Sequence, residues 1–316
     1  MAFLVEPSKD VDWDRLEFKI RQGKFHSLKY FVNEDLICIK FSKSTVISSL
    51  ATTSAMGVGV KPSQECYEGL KAYRSPSGNI NIFRPSSHAA RLAHSATYVS
   101  IPSPSSSHFL HCVQLAVSLN AEFVPPHHID ACLYIRPVLF GSSAHLGLTP
   151  PNEYIFCVYV QPIAAYHGSN PLDCLIMEEF DRAAPKGTGG GKVGGNYAPV
   201  IRWSDKARKE GFGITLHLDS KTETEIEEFS TSGFVGVKLD GNVVTLTVPD
   251  SKNVVQSITS DSCLRLAELF GWGVEVRKIE YSELGEFSKF LRLELQLPLC
   301  LFALFHASRR KIESAI

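Results

Sequence analysis

The sequence predicts an α+β protein with two domains, and three observations support this fold class. The chain has 316 residues, which suits one large domain or two of medium size. Apolar residues make up 44% and charged residues 21%, as in globular rather than disordered proteins. Strand-like and helix-like segments alternate on both sides of a Pro/Gly/Ser/Asn-rich stretch at 161–173. We therefore predict an N-terminal domain at 1–162, a linker at 163–173 and a C-terminal domain at 174–316, with a ligand site in the cleft between the domains.

The N-terminal half is predicted to combine helices with an antiparallel sheet. The alternating segment at 80–84 indicates a short strand. Apolar residues spaced by three and four indicate helices at 88–99 and 109–124, separated by a Pro/Ser loop that ends in a serine suited to an N-cap. The β-rich runs at 131–141 and 153–163 are expected to be neighbouring antiparallel strands of one sheet.

The C-terminal half is predicted to alternate strands and helices around a Gly-rich loop. The predicted elements are a strand at 174–180, a helix at 197–211, a strand at 214–219, a capped helix at 257–273 and a strand at 274–281. Between the second strand and the capped helix, Asp240-Gly241 separates two β-rich runs, which is typical of a hairpin.

Composition excludes several classes of function. The formal net charge is −1, so the chain lacks the basic excess of a nucleic-acid-binding protein. The eight cysteines are scattered without a CxxC pair, which indicates reduced thiols rather than a zinc site or a disulfide framework. The acidic N-terminal segment fits neither a secretory signal nor a transit peptide, and the apolar run LPLCLFALF is too short to span a bilayer. We expect a soluble, cytoplasmic protein.

The segment APKGTGGGKVGGNYAPV at 184–200 holds the strongest candidate for chemistry. It places Lys192 among glycines, with Asn196 and Tyr197 just after it. A lysine amine can act covalently by forming a Schiff base, which is a reason for its presence in such a loop. This interpretation predicts an enzyme.

Three other interpretations of the Gly-rich segment compete with covalent chemistry. Gly189, Gly191 and Gly194 match a dinucleotide-binding fingerprint, but no strand leads directly into them. A P-loop would need glycine in place of Lys186 and a hydroxyl-bearing residue in place of Val193. The third is a flexible surface loop with a solvated lysine, which the loop taken alone leaves open.

Five ordered segments resemble the branched-chain aminotransferases, and most closely their fungal members. They are CYEGLKAYR at 66–74, IFRPSSHAARLAHSA at 82–96, YIRPVLFGSSAHLGL at 134–148, RAAPKGTGGGKVGGNYA at 182–198 and EEFSTSGFVGV at 227–237. The resemblance covers roughly residues 64–288. It implies a pyridoxal 5'-phosphate (PLP) enzyme of fold type IV, with a smaller N-terminal domain, a larger C-terminal domain and the cofactor between them. It also implies a homodimer.

The resemblance assigns the residues around the cofactor ring. Lys192 corresponds to the lysine that forms the Schiff base and moves a proton as general base and acid. Tyr197 corresponds to the residue that hydrogen-bonds the phenolate oxygen, with simple packing as the alternative. Glu228 corresponds to the partner of the pyridine nitrogen. Its neighbour Glu227 competes for this role, since adjacent strand residues point to opposite faces and only one can enter the site. The alternative is that both glutamates are solvated charges.

The resemblance also assigns the phosphate and substrate contacts. Arg91 corresponds to the phosphate-binding arginine, although helical spacing alone indicates a surface charge. Ile258 and Thr259 correspond to a loop that offers backbone amides and a hydroxyl to the phosphate, with an ordinary helix cap as the alternative. The resemblance implies an apolar side-chain pocket and gives these contacts with the substrate: Tyr67, Tyr134 and Arg136 at the entrance and the carboxylate side, and Thr231 within the site.

The chain departs from the family after EFS at 286–288. The family continues approximately as EVLAAGTAAALVPIRSI, whose Gly-Thr-Ala turn binds the substrate carboxylate, whereas this chain reads KFLRLELQLPLCLFALF from Lys289. Suitable codons for these residues encode the missing motif in the neighbouring reading frame, so we hypothesise a one-base deletion near codon 289. Genomic and transcript sequence across that codon tests this: an intact frame with no family motif beside it would remove the hypothesis. The segment from about 23 to 63 also departs from the family, as a retained intron or misplaced splice site would produce.

The expected activity is transfer of an amino group between a branched-chain or similar hydrophobic L-amino acid and 2-oxoglutarate, in a ping-pong cycle with pyridoxal phosphate. Two alternatives stay open. One is a related fold-type-IV reaction, such as D-amino-acid transamination or aminodeoxychorismate lysis. The other is a catalytically impaired remnant, which the altered sequence after about residue 288 favours.

Overall fold

We analysed a computed structural model of the chain. The described residues are 5–9, 11, 13, 24–33, 36–45, 64–142, 149–151, 153–164 and 172–293, without the side chains of 24–45 and 291–293. The chain divides into two compact units: the first comprises Met1–Gly168 and Lys192–Gly194, and the second comprises Ser169–Gly191 and Gly195–Ile316. The short segment that carries Lys192 therefore belongs to the first unit, although its flanking residues belong to the second.

The first unit contains an antiparallel sheet. Its strands are β1 (Lys24–Asn33), β2 (Leu36–Thr45), β3 (Glu65–Tyr67), β4 (Leu70–Arg74), β5 (Ile80–Ile82), β6 (Ala131–Gly141) and β7 (Tyr154–Ala164). They lie in the order β2-β1-β7-β6-β4-β5, and β3 also pairs with β6. The prediction that 131–141 and 153–163 are antiparallel neighbours is confirmed, because β6 and β7 pair along their whole length from Ala131↔Ala164 to Gly141↔Tyr154.

Two helices cover one face of this sheet. Helix α1 (Pro85–Tyr98) has its proline in the first turn, where a missing N–H leaves no bond unmade. Helix α2 (Ser106–Leu119) is capped by Ser105, whose side chain accepts the His108 N–H at 3.2 Å. Both helices bury apolar side chains against β6 and β7 in one core, which includes Leu92, Phe109, Leu133, Ile135 and Phe156.

Helix α2 ends earlier than the periodicity predicts. The apolar pattern predicts a helix to 124, but the Asn120 side chain donates to the Ala116 carbonyl at 2.8 Å and the helix stops at Leu119. A short 3₁₀ turn at Ala121–Phe123 follows and continues the apolar spacing without the α-helical hydrogen bonds. The difference arises because a buried asparagine competes for backbone groups at the helix end.

The second unit contains a mixed sheet. Its strands are β8 (Cys174–Ile176), β9 (Ile214–Leu218), β10 (Ile226–Phe229), β11 (Gly233–Asp240), β12 (Val243–Pro249), β13 (Gly273–Arg277) and β14 (Lys289–Leu293). They lie in the order β13-β12-β11-β10-β9-β8, and β14 pairs with β11. The hairpin predicted at Asp240-Gly241 is confirmed as β11–β12, and Gly241 has the positive φ of 57° that such a turn requires.

Helices α3 (Gly194–Lys209) and α4 (Ile258–Leu269) complete this unit. The predicted cap of α4 is confirmed, since Ser257 accepts the Ser260 N–H at 3.0 Å. Helix α4 packs Cys263 and Ala267 against Val235 and Leu246 of β11 and β12.

The sequence from Lys289, where we expect a departure from the family, adds a strand to the second sheet. β14 pairs antiparallel with β11 over five residues, from Gly233↔Leu293 to Val237↔Lys289. From the sequence, we expect residues near 294 to stand where the family has its Gly-Thr-Ala turn. Residues 294–316 lie outside the described part of the chain. Within the described part, no helix has the length and apolarity needed to cross a membrane.

Candidate active site

The backbone of Lys192 is tied to two elements of the first unit. Its N–H donates to the Ser95 hydroxyl of α1 at 2.9 Å, and its carbonyl accepts the Tyr67 N–H of β3 at 3.1 Å. The next residue, Val193, forms an isolated antiparallel bridge with Cys66. This attachment and the partial burial of Lys192 argue against a flexible surface loop with a solvated lysine.

The side chain of Lys192 lies over an aromatic ring. Its Nζ is 4.9 Å from the centre of the Tyr67 ring. The Arg136 guanidinium carbon lies 4.8 Å from the same ring and 5.0 Å from the Tyr134 ring, and Arg136 Nη2 donates to the Tyr134 hydroxyl at 2.7 Å. The structure thus brings together three substrate residues predicted from the sequence with Lys192. Both cations lie within the distance at which a ring face attracts a positive charge.

Arg91, the predicted phosphate-binding residue, is held by a buried glutamate. Its Nε and Nη2 donate to the two carboxylate oxygens of Glu68 at 2.6 and 2.8 Å. Glu68 is fully buried, and it also contacts His88 Nδ1 at 2.7 Å. Arg91 is mostly buried, with 11% of its side chain exposed, so helical spacing misleads when it indicates a surface charge.

The ionisation of this cluster follows from its contacts. Burial alone would raise the pKa of Glu68, but the Arg91 charge and the hydrogen bonds from Arg91 and His88 hold that pKa well below its usual range. Burial lowers the pKa of His88, and the Arg91 and Lys192 charges lower it further, against the opposite effect of Glu68. The cluster therefore consists of an ionised carboxylate, a guanidinium and a neutral imidazole near Lys192.

In the second unit, Glu228 is a buried carboxylate paired with a buried guanidinium. Arg182 Nη1 donates to Glu228 Oε1, and the Val255 N–H donates to the same oxygen at 3.3 Å. Glu228 is 4% exposed and Arg182 is 6% exposed. The Arg182 guanidinium carbon also lies 5.2 Å from the centre of the Tyr197 ring. One arginine therefore links the two residues that the sequence assigns to the cofactor ring.

Glu227 lies on the same strand but has other partners. Its Oε1 accepts hydrogen bonds from Ser251 Oγ at 3.0 Å and Asn253 Nδ2 at 2.8 Å. Burial raises the pKa of Glu227, although these two hydrogen bonds lower it. Because both glutamates are buried, neither is the solvated charge of the alternative interpretation. They differ in that Glu228 meets a cation and Glu227 meets neutral donors.

The remaining predicted residues lie at element ends. Ile258 and Thr259 are the buried first residues of α4, directly after the Ser257 cap. Thr231 is exposed in the turn between β10 and β11. A Cβ at Gly233, which starts β11, would lie 3.0 Å from Ser260 Oγ and 3.1 Å from Ser257 Cβ, so the start of β11 lies against the α4 N-terminus. A helix N-terminus can bind an anion, which is compatible with the predicted phosphate contact.

Four residues of these clusters were missed at the level of sequence: Glu68, His88, Ser95 and Arg182. All four lie inside the segments that carry the family resemblance. The sequence offered one signal, which is that Glu68 stands between uncharged residues in CYEGL. A charged residue in such a segment is rarely buried without a partner, so a buried ion pair could have been predicted there. Nothing in the pattern identified the partner itself.

Comparisons with known proteins identify the family. The profile of the family Amino-transferase class IV matches residues 65–291. The aminotransferase poxL of Penicillium oxalicum is 52% identical over 284 residues, covering 89% of this chain and 77% of that protein. The branched-chain amino acid aminotransferase gloG of Glarea lozoyensis is 44% identical over 298 residues, covering 91% and 80%.

Solved structures show the same fold. The branched-chain amino acid aminotransferase from Thermobaculum terrenum, in its PLP-bound holo form, superposes with a TM-score of 0.65 at 19% identity, covering 87% of this chain and 84% of that chain. Class IV aminotransferases use pyridoxal phosphate as cofactor. The match over most of the chain and the identity to the fungal relatives lead to one conclusion: this chain belongs to the class IV aminotransferases, PLP enzymes of fold type IV.

Proposed function

We propose that this chain transfers an amino group between a branched-chain or similar hydrophobic L-amino acid and 2-oxoglutarate. The observation that carries the proposal is the placement of Lys192, whose backbone is fixed by Ser95 and Tyr67 while its amine lies over the Tyr67 ring, which Arg136 also contacts. The name of the gloG relative supports a branched-chain substrate. The homodimer and the cytoplasmic location remain predictions.

The residues present fit pyridoxal phosphate in their chemistry. The cofactor needs an amine, a cation for its phosphate, a carboxylate for its ring nitrogen and a donor for its phenolate oxygen, and Lys192, Arg91, Glu228 and Tyr197 provide these groups. The buried Nε2 of His88 has no hydrogen-bond partner among the described residues. A buried polar atom of this kind is unusual unless a ligand or water meets it.

The family resemblance gives each residue a proposed task. When bound, the cofactor supplies an electron sink that makes the Cα proton of the amino acid acidic. Lys192 would hold the cofactor with its amine and would move the proton at Cα, as general base and acid. Arg91, oriented by Glu68, would bind the phosphate, and Glu228 would bind the ring nitrogen. Ile258 and Thr259 add backbone and hydroxyl donors to the phosphate.

Substrate binding is assigned to the aromatic and cationic residues of the first unit and to Thr231. We assign the 2-oxoglutarate and amino-acid carboxylates to Arg136, because its guanidinium is oriented by the Tyr134 hydroxyl and flanked by two rings. Tyr67 and Tyr134 would contact the rest of the substrate. Arg136→Met is expected to raise KM for 2-oxoglutarate by at least roughly tenfold, since a charge-assisted hydrogen bond contributes on the order of 1.5–3 kcal/mol.

The test uses the full chain, purified and supplied with pyridoxal phosphate. We expect a yellow protein whose visible absorbance is lost in Lys192→Ala and retained in Lys186→Ala, a matched control because Lys186 is an exposed lysine of the same loop. Addition of L-leucine should convert the cofactor to its amine form, and 2-oxoglutarate should reverse the change.

Other outcomes separate the alternatives. A yellow protein that does not respond to L-leucine but responds to D-alanine would favour D-amino-acid transamination. A yellow protein that responds to no amino acid would favour the impaired remnant, which the altered sequence from Lys289 suggests. Absence of colour in the wild-type chain would contradict cofactor binding and with it the proposed function.

A further inference from the structure

Arg182 contacts both residues that are assigned to the cofactor ring in the second unit. Its guanidinium donates to Glu228 Oε1 and lies 5.2 Å from the centre of the Tyr197 ring. Glu228 is 46 residues away along the sequence and Tyr197 is on α3, so these groups come together only in the folded unit. Both charged side chains are more than nine-tenths buried.

The pair has a defined electrostatic consequence for Glu228. A carboxylate removed from water tends to take up a proton, because the charged form loses its hydration. A guanidinium in direct contact reverses that tendency, because it stabilises the charged form. Arg182 therefore favours the ionised form of Glu228.

Three groups near the pair do not supply this charge. His217 is the register partner of Glu228 on β9, but burial and the Arg182 charge lower the pKa of His217 to about 4, so it is neutral at physiological pH. The Val255 N–H contributes a single, long hydrogen bond of 3.3 Å without charge. Glu227 is bound by Ser251 and Asn253 instead.

We propose that Arg182 is a positioning residue that directs a proton to the ring nitrogen of the cofactor by keeping Glu228 ionised. The inference rests on the proposed function, which assigns Glu228 to that nitrogen. A proton between the Glu228 carboxylate and the ring nitrogen lies closer to Arg182 when it is bonded to the carboxylate. The positive guanidinium repels the proton at that position, so the proton is more stable on the ring nitrogen. No atom is gained or lost in this step: the O–H bond breaks and the N–H bond forms.

Arg182 orients a second group through its contact with Tyr197. The ring lies within cation–π distance of the guanidinium, which limits where the phenol hydroxyl can point. Since Tyr197 is assigned to the phenolate oxygen, one arginine would control the contacts at two positions of the cofactor ring. Arg182 itself is not assigned any contact with the cofactor.

The experiment reads the ring nitrogen directly. The full chain is loaded with pyridoxal phosphate labelled with ¹⁵N in the ring, and the ¹⁵N chemical shift distinguishes the protonated from the neutral nitrogen. The variants are Arg182→Gln, which keeps a donor but removes the charge, and Arg182→Lys, which keeps the charge. Arg202→Gln is the matched control, because Arg202 is an exposed arginine of the same unit that stacks on Trp203.

We expect the wild type, Arg202→Gln and Arg182→Lys to show a protonated nitrogen. In Arg182→Gln the ratio of protonated to neutral nitrogen should fall roughly ten- to hundredfold, as expected when the donor in a hydrogen bond to a carboxylate loses its charge. The half-reaction with L-leucine should slow in the same variant, while the apparent affinity for the cofactor phosphate should not change.

Two results overturn the proposal. A protonated nitrogen in Arg182→Gln with cofactor bound would show that Arg182 does not control the proton. Equal effects of Arg182→Gln and Arg182→Lys on the nitrogen would indicate a role in packing alone. Failure of the wild-type chain to bind the cofactor would instead refute the proposed function, so the two failures are distinguishable. If Arg182→Gln does not fold, Arg182→Lys still decides the matter, because a neutral nitrogen there contradicts the proposal.

Discussion

His217 is expected to remain neutral far below the pH at which an exposed histidine takes up a proton. The residue is 1% exposed, and its Nε2 contacts the Thr215 hydroxyl at 3.1 Å. Burial, with the Arg182 charge as the second cause, lowers the pKa of His217 from 6.5 to about 4. Protonation would place a second cation beside Arg182 inside the second unit.

The sign and size of the stability effect follow from this difference. Below pH 6.5 the unfolded chain binds a proton at residue 217 and the folded chain does not, so folding loses stability as the pH falls from about 6.5 to about 4. A shift from 6.5 to about 4, at roughly 1.4 kcal/mol per pH unit, corresponds to a loss of about 3 kcal/mol of unfolding free energy. His88, whose pKa is also lowered, adds a loss of the same sign.

The assay compares the wild type with His217→Gln. Histidine ¹³C NMR should show one resonance, absent from the variant, that does not titrate above about pH 5. Urea unfolding of both proteins at pH 7 and pH 4.5 should show a smaller pH-dependent loss of unfolding free energy in the variant, by roughly 2–3 kcal/mol. A His217 resonance that titrates near pH 6.5, or equal losses in the two proteins, would refute the reasoning.

Two further predictions concern stability. Glu68→Ala leaves a buried arginine without its carboxylate and should cost about 3–5 kcal/mol in urea unfolding, whereas Glu179→Ala removes an exposed ion pair and should cause no measurable change; similar effects of the two would contradict the burial argument. Gly189→Ala should destabilise the chain by about 1–3 kcal/mol, because the new Cβ would overlap the Asn253 carbonyl oxygen. Gly195→Ala, with nothing within 4 Å, should be neutral or stabilising in a thermal melt, and equal melting shifts would argue against this packing.

Local patterns in the sequence predicted most of the described fold. β-rich composition identified β6 and β7, the Asp-Gly pair identified the β11–β12 turn, and Ser257 identified the start of α4. The β1–β2 hairpin at Lys24–Thr45 was not predicted, and the resemblance to the family, which begins near residue 64, gave no guide there.

For the active site, the sequence by itself determined which chemistry is present. A lysine among glycines, together with Arg91, Tyr197 and Glu228 in ordered motifs, indicated a PLP enzyme before any geometry was known. The motifs carry this information through their resemblance to the branched-chain aminotransferases, since the lysine loop taken alone leaves other interpretations open.

Only the tertiary structure decided how these groups are held and charged. It paired Arg91 with Glu68 and Glu228 with Arg182, and it tied Lys192 to Ser95. These partners are 23, 46 and 97 residues apart in the sequence. The physical reason is that ionisation depends on burial and on the nearest charge in space, and neither quantity is a property of the local sequence.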